Sequence, residues 1–257
     1  MTDRSTTPSI AHRAIALLDL TSLNDNDDEA AIDALCKRAV TEFGAVAAVC
    51  VWPRFVSKCR HLLRDSGVHI AAVANFPHGG GDINAARADA IAAIQDGADE
   101  IDLVMPYTTW LAGDRKKACN VIAACKSLCS DTILLKVILE TGRLETTENI
   151  SEASRDAIAA GADFIKTSTG KIEVSATPDA AKAMLYAIKT SGRPVGFKAA
   201  GGIRTVADVA EYLDIAADIM GTNWISPQTF RFGASGLLNN LLTVLGQDAP
   251  ALRDSDY

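Results

Sequence analysis

Apolar residues in this chain fall into short, near-continuous runs, separated by longer stretches in which they recur every three or four positions. The runs at Val46–Trp52, Ile70–Phe76, Glu100–Met105, Thr132–Glu140, Phe164–Ser168, Val195–Lys198 and Asp218–Gly221 predict strands, with a weaker eighth at Phe230–Phe232. Runs that are apolar throughout, rather than alternating, suit a parallel sheet covered on both faces. The stretches between them have helical spacing and recognisable starts. Pro53 follows the first strand at a place suited to a first helical turn, and Thr177-Pro178-Asp179 offers a capping hydroxyl, a proline at N1 and an acid in the first turn. Ahead of the first strand, Ile10–Leu20 and Asp28–Val40 predict two further helices. Eight strands alternating with helices predict an α/β protein, a (β/α)8 barrel with an extra N-terminal helical segment. An open doubly wound sheet is the alternative, because periodicity does not determine closure. At Gly221–Thr229 the helix after the seventh strand is short or missing. No repeat, low-complexity tract or linker divides the chain, so a single domain over 1–257 is expected, with about 1–9 and 248–257 loose.

Two of these strands share one plan, a lysine inside an apolar run with glycine close behind. In Phe164-Ile165-Lys166-Thr167-Ser168-Thr169-Gly170-Lys171, strand alternation puts Lys166 on one face with Phe164 and Ser168. Val195-Gly196-Phe197-Lys198-Ala199-Ala200-Gly201-Gly202 repeats the plan of apolar strand, lysine, then glycines. Lysine is seldom fully buried, and one aimed into a core is either an ion-pair partner or a reactive group. In a barrel the active site lies at the C-terminal ends of the strands. Cys50, Asp102, Lys136, Lys166 and Lys198 gather there, followed by Gly201-Gly202 and Gly233-Ala234-Ser235. Lys166 and Lys198 on neighbouring strands, about 4.8 Å apart, could bring their amines to about 6 Å. Their repulsion would be about 3 kcal/mol at an effective dielectric near 20, or about two pKa units on one of them. Partial burial pushes the same way. An amine depressed in this manner is a usable nucleophile for Schiff-base chemistry. Asp102, inward with Glu100 and Val104, could pair with a lysine and handle protons, or act only as a structural counter-ion.

Composition narrows the classes. The 257 residues are 48% hydrophobic and 22% charged, enough for one large core, and the net charge of −7 argues against a nucleic-acid groove while leaving room for a small anionic substrate. No apolar run is long enough to cross a bilayer, and Met1-Thr2-Asp3-Arg4 does not begin a secretory signal, so a cytoplasmic protein with no membrane partner is expected. Six cysteines show no Cys-x-x-Cys pair, and four histidines are scattered without ligand spacing, so no metal site is expected. Three glycine-bearing segments follow strands, at Thr169-Gly170-Lys171, Gly201-Gly202-Ile203-Arg204 and Gly233-Ala234-Ser235-Gly236. Each alone is compatible with a tight turn; together, with Lys171 beside them, they favour a phosphate pocket.

At these residues the chain resembles the deoxyribose-phosphate aldolases, class I (Schiff-base) aldolases. The matching segments are Leu17-Leu18-Asp19-Leu20-Thr21, Ala48-Val49-Cys50-Val51-Trp52-Pro53-Arg54-Phe55, Ala74-Asn75-Phe76-Pro77-His78-Gly79, Ala98-Asp99-Glu100-Ile101-Asp102 and Leu135-Lys136-Val137-Ile138-Leu139-Glu140-Thr141-Gly142. They continue through the Lys166 stretch, Gly196-Phe197-Lys198 and Arg231-Phe232-Gly233-Ala234-Ser235, covering nearly the whole chain in order. The resemblance implies reversible cleavage of 2-deoxy-D-ribose 5-phosphate to acetaldehyde and D-glyceraldehyde 3-phosphate without metal or organic cofactor. It assigns the Schiff base to Lys166, pKa perturbation and proton relay to Lys198, and proton shuttling to Asp102. Tyr257 matches a tyrosine of the C-terminal tail thought to assist proton transfer. Cys50, Asp19, Thr21, Lys136 and Thr169 are expected near the substrate, and Gly170, Lys171, Gly201, Gly202, Gly233, Ala234 and Ser235 at the phosphate. A homo-oligomer, in the form of a dimer, is expected. Gly236 departs from members that carry a second serine there, which removes one hydroxyl contact to the phosphate. Two other readings stay open: another Schiff-base lyase acting on a phosphosugar, and a phosphosugar-binding barrel without catalysis.

Overall fold

Eight parallel strands close on themselves in the computed structural model, which describes residues 6–246. In chain order they are β1 (Leu18–Thr21), β2 (Ala48–Val51), β3 (His69–Ala74), β4 (Glu100–Val104), β5 (Leu134–Ile138), β6 (Phe164–Lys166), β7 (Gly196–Ala200) and β8 (Phe230–Ala234). Each pairs with the next, and β8 pairs with β1, so no barrel strand is left with an open edge. The chain is therefore a (β/α)8 barrel, and the open-sheet alternative falls away. The helix Thr7–Ala16 precedes β1, and a two-stranded hairpin, Val40–Thr41 with Gly44–Ala45, lies outside the barrel.

The helices between strands start where the side-chain chemistry favours it. Asp28 accepts from the Ala31 N–H at the head of Glu29–Arg38, Thr177 accepts from Ala180 ahead of Pro178–Ser191, and Thr205 with Asp208 forms a reciprocal capping box before Val206–Met220. The outward residues of the strands, such as Ile101, Leu103, Val137, Ile165, Phe197, Phe230 and Phe232, join the helices in one continuous apolar layer. Inward positions differ. They carry Asp19, Glu100, Asp102, Lys136, Lys166, Lys198 and Arg231, all buried. A barrel interior is usually packed with branched aliphatic residues, and here a charged cluster takes their place.

Two expected elements are corrected. Asp218–Gly221 is no strand: the helix Val206–Met220 runs through it and stops at Gly221, whose φ of 93° suits glycine. The apolar spacing of Val206, Val209, Leu213, Ala216 and Ile219 keeps one helix face against the barrel to the end. The stretch Gly221–Thr229 then leads through a single 3-10 turn at Thr222–Trp224 into β8. Conversely, the helix expected to reach Leu20 ends at Ala16, and Leu18–Thr21 is the first barrel strand. That helix begins at Thr7, inside the stretch expected to be loose.

Candidate active site

The inward charges come from opposite walls. Strand register sets Lys166 on β6 beside Lys198 on β7, and Lys198 beside Arg231 on β8, while Asp102 on β4 lies beside Lys136 on β5. Asp19 on β1 and Glu100 and Asp102 on β4 supply the acids. Asp102 Oδ2 accepts from Lys166 Nζ at 2.9 Å and from Lys198 Nζ at 2.8 Å, and its Oδ1 accepts from Lys136 Nζ at 2.8 Å. Lys198 also donates to Asp19 Oδ2 at 2.5 Å. Lys136 reaches Asp19 Oδ2 at 3.5 Å and lies against Glu100 Oε2. Arg231 spans the floor of the cluster, donating to Asp19 Oδ1 at 2.6 Å and to Glu100 Oε1 at 3.1 Å. His69, at the start of β3 and partly exposed, places Nδ1 3.1 Å from Glu100 Oε1.

Among the described residues, this cluster sets four cations against three carboxylates. Lys136 touches all three acids, Lys198 touches two, Arg231 touches two, and Lys166 touches one, whose oxygen it shares with Lys198. A buried cation is held in its charged form by the carboxylates around it. Of the four cations, Lys166 thus has the fewest carboxylate contacts. Burial raises the pKa of all three acids, but the surrounding cations outweigh it: Asp102 is held well below the ordinary carboxylate range, mainly by Lys136, Lys166 and Lys198, and Asp19 and Glu100 are lowered too.

The electrostatics correct one expectation. Burial lowers the pKa of Lys166, but Asp102 and Cys50 raise it by more, so its net shift is upward and not the depression that two neighbouring lysines alone would cause. Asp102 sits between the two amines and attracts more strongly than they repel. Lys136 is raised further, since Asp102, Glu100 and Asp19 overcome its burial. Cys50 Sγ lies 3.8 Å from Asp102 Oδ2, and burial followed by that carboxylate pushes its thiol up to about 11.

The remaining expected residues divide. Asp19 belongs to the cluster, and the Thr21 hydroxyl turns back to donate to the Asp19 carbonyl at 2.9 Å. Gly170, Gly201, Gly202, Ser175, Thr177 and Arg204 border one cleft at the C-terminal face. Lys171 is exposed on the same loop as Gly170. Gly233 closes the wall beside Lys198: a Cβ there would stand 2.9 Å from the Lys198 Cε. Ala234 and the buried Ser235 follow it at the end of β8. Thr169 donates its hydroxyl to Glu140 Oε2 at 2.5 Å. Tyr257 lies outside the described residues.

Arg231, Glu100, Glu140 and Arg204 are absent from the expected site residues. Arg231 did carry a signal, a charge between Phe230 and Phe232 in a strand, which is the pattern that singled out Lys166. Among the described residues no group of three or more His, Cys, Asp or Glu is placed to hold a metal ion.

Comparison with known proteins points one way. The family described as DeoC/LacD family aldolase matches residues 13–242. A deoxyribose-phosphate aldolase of Agrobacterium fabrum is 52% identical over 244 residues, covering 95% of this chain and 94% of its own. Among solved structures, a candidate deoxyribose-phosphate aldolase of Coccidioides immitis superposes with a TM-score of 0.81 at 29% identity, over 94% of this chain and 88% of that one. The tetrameric deoxyribose phosphate aldolase of Aeropyrum pernix shares the fold, with a TM-score of 0.73 at 23% identity over 93% of this chain and 92% of that one.

Proposed function

This chain belongs to the DeoC/LacD family of aldolases, and on that premise we propose that it cleaves 2-deoxy-D-ribose 5-phosphate reversibly through an imine on Lys166. The observation that carries the assignment is the sharing of one Asp102 oxygen by Lys166 and Lys198. When Lys166 gives up its proton, Lys198 keeps that oxygen, so the anion is never left buried and unpaired. The neutral amine adds to the C1 aldehyde of the open-chain sugar, and the carbinolamine takes up a proton and loses water to give an iminium. Removal of the C3 hydroxyl proton then breaks the C2–C3 bond. The bonding electrons pass to the iminium, and D-glyceraldehyde 3-phosphate leaves. Protonation of the resulting enamine at C2 and hydrolysis release acetaldehyde and the free amine. Asp102 and Lys198 are the proton carriers nearest Lys166, with Tyr257 proposed to assist the enamine step. Cys50 and Thr21 would stand by the substrate without taking part in the imine.

The cleft bordered by Gly170, Gly201, Gly202 and Arg204 suits the 5-phosphate; Lys171 follows Gly170 in the chain, and the Gly201 N–H donates to the Gly233 carbonyl at 3.4 Å, ahead of Ala234 and Ser235. Binding the anion there, away from C1, would hold the carbonyl at the amine. We further propose a cytoplasmic enzyme that assembles as a homodimer; among the described residues no helix is long and apolar enough to cross a membrane, and the Aeropyrum pernix enzyme of the same fold is a tetramer. The test of the activity is incubation of the purified protein with 2-deoxy-D-ribose 5-phosphate in the presence of a chelator. Equimolar acetaldehyde and D-glyceraldehyde 3-phosphate are expected. Saturable binding of the sugar without products would leave a phosphosugar-binding barrel, and cleavage only of another phosphosugar would make it a different lyase.

A further inference from the structure

We propose that Glu140 is a positioning residue for the anion-binding loop Thr169–Lys171, and that it acts as a carboxylate accepting two hydrogen bonds from Thr169. The inference rests on the reading of the Gly170 cleft as the phosphate site. Glu140 follows β5 at the C-terminal face and is buried, with 1% of its surface exposed. Its backbone is left-handed, φ 56° and ψ 61°, a conformation that residues other than glycine rarely hold. Such outliers persist where the surroundings fix them and cluster at ligand clamps.

The surroundings here are the end of β6 and the loop beyond it. Leu139 N–H donates to the Lys166 carbonyl and Thr141 N–H to the Thr167 carbonyl, each at 2.9 Å. Gly142 packs so closely on the far limb of the loop that a Cβ would stand 2.1 Å from the Val174 carbonyl oxygen. Within this frame Glu140 Oε1 accepts from the Thr169 N–H at 3.2 Å, and Oε2 accepts from the Thr169 hydroxyl at 2.5 Å. The same hydroxyl oxygen accepts from the Lys171 N–H at 3.1 Å. A hydroxyl has one proton and two lone pairs. Spending the proton on Glu140 leaves its oxygen aimed at Lys171, across the left-handed Gly170 that borders the cleft. Glu140 thereby sets the path of the loop without touching the anion.

The charge state decides whether this works. A carboxylate takes both donors, whereas a protonated carboxyl offers a donor of its own and releases one. Lys166 from β6 and Arg143 from the following turn favour the carboxylate, as do the two bonds from Thr169; Tyr107 faces it as a neutral phenol. Burial opposes them and holds the Glu140 pKa above the ordinary glutamate value. The grip on the loop should therefore loosen as the pH falls.

The experiment compares wild type, Glu140→Gln, Thr169→Val and Lys171→Ala on 2-deoxy-D-ribose 5-phosphate and on unphosphorylated 2-deoxy-D-ribose between pH 5 and 8. The readout is the ratio of the two kcat/KM values, with KM and kcat separated. Glu140→Gln and Thr169→Val should each lower that ratio about tenfold at pH 7.5, through KM for the phosphorylated sugar. The ratio of variant to wild-type KM should shrink towards one as the pH falls, a trend in which the ionisation of the substrate's own phosphate cancels. Equal losses on both sugars, or a KM ratio independent of pH, overturn the proposal. If Lys171→Ala lowers the selectivity while Glu140→Gln and Thr169→Val do not, Glu140 has no such role and the phosphate site stands. If none of the three lowers it, the phosphate site itself is misplaced and the proposal falls with it. Should Glu140→Gln fail to fold, Thr169→Val and the pH dependence of inhibition of the wild-type enzyme by inorganic phosphate decide the matter.

Discussion

Replacing Lys198 by leucine tests the electrostatic design of the site. Lys198 and Lys166 donate to the same Asp102 oxygen, at 2.8 and 2.9 Å, so their nitrogens are at most about 6 Å apart. Two unit charges at that separation repel by about 3 kcal/mol at an effective dielectric near 20. Removing one leaves Asp102 Oδ2 to Lys166 alone and should raise the pKa of Lys166 by about two units. The fold should tolerate the change, because Asp19 keeps Arg231 and Lys136, and Asp102 keeps Lys136 and Lys166. The assay is the pH profile of kcat/KM for deoxyribose 5-phosphate cleavage. Its acid limb should move about two units towards alkaline pH, so activity at pH 7 falls about a hundredfold and returns in part above pH 9. An acid limb that stays in place while activity drops uniformly would refute the reasoning and make Lys198 a proton carrier or binding group only.

Three further expectations concern the buried network and the cleft beside it. Asp102→Asn leaves four cations facing two carboxylates and should cost about 3–5 kcal/mol of stability in urea melts; a loss below 1 kcal/mol would mean the cluster relaxes or is hydrated. Asp19, Glu100 and Asp102 all have folded pKa values below their unfolded ones, so their contribution is complete above the unfolded pKa of about 4 and is lost as the pH falls below it. Tm should fall as the pH drops below about 4, and less steeply in Glu100→Gln; parallel slopes would contradict this. Lys171→Ala should raise KM for the phosphorylated sugar about ten- to a hundredfold, the loss of one charged contact worth roughly 1.5–3 kcal/mol; an unchanged KM would place the phosphate elsewhere.

Six barrel strands were legible in the sequence as apolar runs, and the weak Phe230–Phe232 signal proved to be the core of β8. The first strand was not legible. Leu18-Asp19-Leu20-Thr21 follows the helix Thr7–Ala16 with only Leu17 between them and no glycine or proline to mark the break. Its polar residues point inward, the reverse of the usual burial pattern, because the interior they enter is charged. Ile219-Met220-Gly221 misled in the opposite sense, since an apolar pair before a glycine can end either a strand or a helix; the periodicity reaching back to Val206 decides for the helix. Lys166, Lys198 and Asp102 could be singled out because charge within an apolar strand is costly. The sharing of Asp102 among three lysines, and with it the upward shift at Lys166, depends on distances across the barrel between β4 and β6 that no local pattern contains. The same holds for Glu140 and Thr169, which are far apart in sequence and meet only because β5 and β6 are neighbours.

The central claim, that Lys166 forms the imine, is tested most directly by trapping it. The protein is incubated with acetaldehyde and borohydride, digested, and mapped by mass spectrometry. A single ethyl adduct on Lys166, absent from Lys166→Ala and accompanied by loss of activity, is the result expected. An adduct on Lys198, Lys136 or Lys171 with Lys166 unmodified would contradict the account.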